Sequence, residues 1–134
     1  MKRLLMKNIL LLLLNISLLP FIGCDNSVDD SNVLIQKTWI HSYEESGDST
    51  QIFRPEGFRK FPLNRFRGVN ELKSEGVCRY LVLAPNDAHY FMSGTWSYSD
   101  KTKELKIYKE SGQLYLNFVV LTLSKDKLEV KAIV

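Results

Sequence analysis

The pattern of apolar and polar positions divides the chain into three stretches. An apolar segment runs from Asn8 to Ile22, interrupted by Asn15, Ser17 and Pro20. The next run, 25–32, holds one apolar residue, Val28. From residue 33 onward, short runs alternate apolar and polar positions and are separated by turn residues. A period of two predicts strands, each with one face buried.

The third stretch predicts about eight strands. In the first, 39–45, Trp39, His41 and Tyr43 share one face while Ile40, Ser42 and Glu44 share the other. After a turn at 46–49 comes 50–54, ended by Pro55. Alternation then fails from 56 to 68, where two glycines, a proline and four basic residues lie among three phenylalanines. That segment is expected to be a long loop, and loops of this length are commonly functional or disordered. Strands are predicted again at 69–72, 77–83, 94–99, 105–108, 114–123 and 127–133. Stretch 114–123 is apolar on both faces and is expected to be central or covered. A short helical turn is expected at 33–36. Tight turns make neighbours antiparallel. Closure into a small antiparallel barrel removes exposed edges, so an all-β barrel is the expected fold, with a two-sheet β-sandwich as the alternative.

The first stretch is too short for a spanning helix, which needs about 20 apolar residues, and Pro20 would break its last turn. Lys2, Arg3 and Lys7 precede it. A basic start, a short apolar middle and a small residue before a cut describe a secretory signal peptide at 1–23. Phe21-Ile22-Gly23-Cys24 resembles the lipobox of bacterial lipoproteins. That resemblance implies that Cys24 is lipidated and becomes the first mature residue, so that the membrane is a partner through Cys24. An ordinary signal peptide and a membrane anchor are the alternatives. The polar run then reads as a tether, 24–32, ahead of a domain at 33–134. Its acids resemble the export tags of some Gram-negative surface lipoproteins, which implies the outer membrane or cell surface of a bacterial envelope. Asp25 beside the cysteine resembles an inner-membrane retention signal of other bacteria.

Charge looks different once the signal is set aside. The chain has 18 Lys+Arg and 15 Asp+Glu. Three of the basic residues and none of the acids precede Cys24, which leaves fifteen of each sign. A balanced chain lacks the electrostatic footprint of nucleic-acid binding. About 100 residues remain, enough for one domain with a modest core. The chain has two cysteines. A lipidated Cys24 leaves Cys78 without a partner. With Cys24 unmodified, a Cys24–Cys78 bridge is the alternative.

"LIQKTWIHSYEE", "SEGVCRY", "SGTWSYSDKTKELKI" and "LTLSKDKLEVK" resemble bacterial lipocalin-like lipoproteins. "RPEGFRKFPLNRFRG" with "APND" resembles an uncharacterised group of small lipocalin-like proteins. The resemblance implies a calycin-type barrel, often with a small apolar ligand inside. Eight strands enclose room for side chains or for one small ligand. Trp39, Tyr43, Trp96, Tyr98 and Phe118 therefore either line a cavity or fill the barrel.

No catalytic constellation emerges. Glu44 and Glu45 would face opposite ways on a strand. His41 and Glu45 would lie about 13 Å apart along it, too far to share a metal at about 2 Å. Cys78 lacks a cation on its own face and reads as a buried structural thiol. Asp87 and His89 have no serine partner. The chain has no glycine-rich phosphate cradle and no His-Glu-x-x-His, so neither a metal nor a cofactor is expected, and no enzyme. The candidate binding surface is the loop, where Arg59, Lys60, Arg65 and Arg67 mix with Phe58, Phe61 and Phe66. Arginine with aromatics is enriched at interfaces, and guanidinium binds carboxylate or phosphate in a fork. Three readings stand: a protein partner, an anionic ligand, or arginines paired internally with Glu44 or Glu45. With Trp39 and Tyr43 as barrel candidates, the expected function is a lipid-anchored binding protein for a small apolar or anionic ligand. The alternative is a filled-core interaction lipoprotein.

Overall fold

The computed structural model describes residues 30–134. The segment 1–23, Cys24 and most of the 24–32 tether lie outside the described residues. Asp30 caps a short helix, α1 (Ser31–Ile35), its carboxylate accepting from the Asn32 N–H at 3.0 Å. The folded unit thus takes in the last residues of the polar run. Eight strands follow: β1 (Thr38–His41), β2 (Gln51–Pro55), β3 (Val69–Leu72), β4 (Val77–Leu83), β5 (His89–Ser99), β6 (Glu104–Lys109), β7 (Leu114–Leu123) and β8 (Leu128–Ala132). They form one closed antiparallel barrel in the order β1-β2-β8-β7-β6-β5-β4-β3.

The order departs from a simple meander at one place. β1 lies between β2 and β3. The Glu56 N–H donates to Thr38 O at 2.9 Å, and the His41 N–H donates to Gly68 O at 2.8 Å. The two ends of the 56–68 loop are therefore fastened to opposite ends of β1. Trp39 fills the inner side of β1, so the loop runs along its outer face. The long loop of the sequence is a crossover that lets β2 and β3 flank the same strand.

Alternation along the strands builds the core. Trp39, Phe53, Leu72, Cys78, Tyr80, Trp96, Leu105, Ile107, Phe118, Val120, Leu128 and Val130 are buried in one cluster with Ile35. At the end where β1 begins, α1 lies against the barrel and the core is saturated. The Trp39 indole N–H donates to Ile35 O at 2.8 Å, and that of Trp96 donates to Lys73 O at 2.8 Å. Buried indole donors need such partners.

Three expectations need correction. β1 ends at His41 instead of running to 45, because Ser42 and Ser46 fold the chain back. The Ser46 hydroxyl donates to Ser42 O at 2.9 Å and accepts from the Ile52 N–H at 3.0 Å. β5 begins at 89 rather than 94. Its first five residues pair with β4 alone, since pairing with β6 starts at Gly94. β7 is not covered on both faces, for Leu114, Tyr115 and Leu121 are exposed.

Gly94 is demanded by close approach. A Cβ there would sit 2.1 Å from Tyr108 O and 3.2 Å from the Tyr80 ring. At the same level the β6–β7 register shifts: Ile107 faces Leu116 while Tyr108 faces Leu114, leaving Tyr115 as an extra residue. Such a bulge re-aims a side chain.

Candidate functional site

The end opposite α1 is open. A cleft of about 360 Å³ lies between β1, β2, β3, β4, β7 and β8. Its rings are Tyr43, Phe53, Phe66, Tyr115 and Phe118, and its polar groups are His41, Gln51 and Asn70. No Lys, Arg, Asp or Glu lines it. A second cleft of about 360 Å³, formed with the 46–50 turn, shares His41, Tyr43, Gln51 and Ala132 with the first. The volume lies at the lower end of small-molecule sites, which combine apolar walls with a few polar groups.

His41 sits at the centre of this end. Its ring lies 3.8 Å from that of Tyr43 and 4.9 Å from that of Phe53, centre to centre. Burial, helped by the nearby Arg67 guanidinium, lowers its pKa to about 4, so the ring is neutral at pH 7. Its Nε2 lies 3.1 Å from Ser46 Oγ. The single proton of Ser46 goes to Ser42 O, so Nε2–H is the donor in that contact.

The loop arginines are engaged elsewhere. Arg67 forks onto Glu44, with Nη2 donating to Oε1 at 2.6 Å and Nη1 to Oε2 at 3.1 Å, and also donates to His41 O at 2.8 Å. Its guanidinium stacks on Tyr43 and Phe61. Arg59 donates to Ser42 Oγ at 2.6 Å, and Arg54 forks onto Glu45 at 2.6 and 2.9 Å. These bonds hold both carboxyls far below the usual range, to about 2: Glu44 chiefly through its hydrogen bond from Arg67, Glu45 chiefly through that from Arg54. Arg65 pairs with Asp87 at the surface. Internal pairing with Glu44 and Glu45 is therefore how this loop clamps the outside of β1.

Of the residues singled out in the sequence, His41, Tyr43, Phe66 and Phe118 line the cleft. Trp39 belongs to the saturated end. Arg59 and Arg67 form the clamp, and Arg65 stands outside it. Phe66 also packs edge-on against His89 at 5.6 Å. Cys78 is buried and unpaired among the described residues, and burial pushes its thiol up to about 11. Among the described residues no group of three His, Cys, Asp or Glu is placed to hold a metal, and no helix is long and apolar enough to cross a membrane. Sequence reasoning missed Gln51, Asn70 and Tyr115. Gln51 and Asn70 were legible as polar residues two positions from a buried one on their strands (Phe53 and Leu72), hence facing inward. Tyr115 had no such signal, because its direction comes from the bulge.

No family model matches the chain, and no curated protein or solved structure matches it either.

Proposed function

We propose that the protein is a binding module whose open barrel end takes up a small, uncharged molecule with an aromatic or apolar body. One observation carries this reading: the cleft is walled by five aromatic rings and neutral polar groups, without a single charged side chain. An anion would find the nearby guanidiniums of Arg59 and Arg67 already bound to carboxylates. Lipid on Cys24 would hold the barrel at a bacterial cell envelope, at the outer membrane or cell surface. The chain from Cys24 to Asp30 reaches about 20 Å at full extension and enters beside α1. The saturated end would then face the bilayer and the cleft would face away from it.

The test is titration with N-phenyl-1-naphthylamine, an uncharged fluorescent probe. The protein binds it with an emission rise, and Ala132→Trp, which fills both clefts, abolishes the rise while the barrel stays folded. Unchanged binding in that variant removes the cleft as the site. For the anchor, Cys24→Ala protein leaves the membrane fraction. Retention there after signal cleavage rules the lipid tether out.

A second reading, a partner-binding lipoprotein, is favoured by the bare apolar ribbon of β4 and β5, where Leu83, Tyr90, Phe91 and Met92 are exposed. Partner capture that survives Ala132→Trp would favour it.

A further inference from the structure

Tyr80 is the one buried tyrosine in the barrel, and it is 1% exposed. Among the described residues its hydroxyl has no hydrogen-bond partner. A buried hydroxyl is ordinarily paired, and leaving it unpaired carries the desolvation penalty in full. Nothing in the core gains from the oxygen atom; phenylalanine would fill the same space.

The position of Tyr80 relates it to the cleft. It pairs across the β3–β4 ladder with Asn70, which lines the cleft. Its ring stacks 4.4 Å from that of Tyr115, at 23°. Tyr115 also lines the cleft and is more than a third exposed. It is the extra residue of the β6–β7 bulge, so no cross-strand neighbour fixes it. Gly94 supplies the space that the Tyr80 ring occupies. The arrangement is a phenol one ring behind the cleft wall, covered by a half-exposed ring on an irregular piece of strand. Exposed side chains change rotamer in picoseconds to nanoseconds.

We propose that Tyr80 is the specificity-determining donor of the cleft, uncovered when Tyr115 turns aside, and that the ligand is an uncharged aromatic or apolar molecule bearing a hydrogen-bond acceptor such as a ketone, ester or ether. This rests on the cleft being the ligand site. An acceptor at that depth gives the phenol the partner it lacks. A purely hydrocarbon ligand leaves the donor unpaired and is selected against, as sites built to hydrogen-bond a group reject the analogue without it. A carboxylate is disfavoured, because no cation lines the way in.

The test uses two uncharged probes on the full chain: 6-propionyl-2-dimethylaminonaphthalene, which carries a ketone, and 2-dimethylaminonaphthalene, which lacks it. The protein binds the ketone more tightly, and Tyr80→Phe weakens the ketone roughly tenfold, the scale of one hydrogen bond, while leaving the second probe unchanged. The ketone's emission in Tyr80→Phe moves to the blue, as expected when its carbonyl loses a donor. Equal affinity and emission in parent and Tyr80→Phe overturn the proposal while leaving the cleft as a site. Failure of the parent to bind either probe defeats the cleft reading itself, and the proposal with it. A Tyr80→Phe protein with lowered melting temperature shows that the hydroxyl already has a structural partner, and overturns the proposal as well.

Discussion

The two ends of this barrel use the same kinds of residue to opposite effect. At the α1 end, Trp39 and Trp96 are buried, and each indole N–H has a backbone carbonyl at 2.8 Å. At the far end, Tyr43 and Tyr115 stand half out of the surface, and the Tyr80 hydroxyl behind them has no partner among the described residues. Both ends are rich in aromatic surface; they differ in whether the polar atom on each ring is satisfied. A satisfied end has nothing further to gain from a ligand, whereas an unsatisfied one does. The loop clamp belongs to neither end: it runs along β1 and joins them.

The contrast breaks most visibly under truncation. Trp39→Ala is expected to lose about 3–5 kcal/mol in urea denaturation, a large part of the 5–15 kcal/mol or so available to a small domain. Tyr43→Ala at the open end should lose far less. Next comes the clamp. Arg67 has only 12% of its side chain exposed, and Arg67→Ala removes the bond to His41 O and the fork onto Glu44, which keeps only Arg59 at 3.4 Å, a loss of about 1–3 kcal/mol in the same measurement.

Acid should act in two stages, first on the open end and then on the clamp. His41 falls from an ordinary 6.5 to about 4 in the fold. The unfolded chain therefore takes up that proton first, and stability declines as pH drops from 6.5 toward 4. Glu44 and Glu45 fall from 4.5 to about 2, so the contribution they make above 4.5 is lost between 4.5 and 2. Urea midpoints measured from pH 7.5 to 3 should show both stages, and His41→Gln should remove the first. A midpoint flat from pH 7 to 5 in the parent would contradict the burial assigned to His41. The smallest effect belongs to Arg65→Ala. Its pair with Asp87 is exposed on both sides, and such pairs are worth about 0–1 kcal/mol.

Much of the barrel was legible because period-two alternation marks inward faces directly. Leu128, Val130 and Ala132 gave β8, and Trp96 with Tyr98 gave the inner half of β5. What escaped was set by contacts distant in sequence. Tyr43 continues the alternation of β1, yet the Ser42–Ser46 bonds turn the chain before it. Residues 89–93 show no alternation, because they stand on a ribbon with both faces in solvent. The place of β1 between β2 and β3 is carried by bonds of Thr38 and His41 to the two ends of a loop that has no periodicity. For the site, the pairing of the loop arginines with Glu44 and Glu45 was one open reading of the sequence. The cleft depends on the bulge at Tyr115 and on where strands end, which composition does not encode.

The most direct test of the division between the ends is a nuclear magnetic resonance titration with N-phenyl-1-naphthylamine. The side-chain amides of Gln51 and Asn70 and the backbone signals of Gly68 and Ala132 should shift together with one binding constant. The indole N–H signals of Trp39 and Trp96 should stay where they are. Indole signals that move with the probe while those of Gln51 and Asn70 remain still would contradict the account.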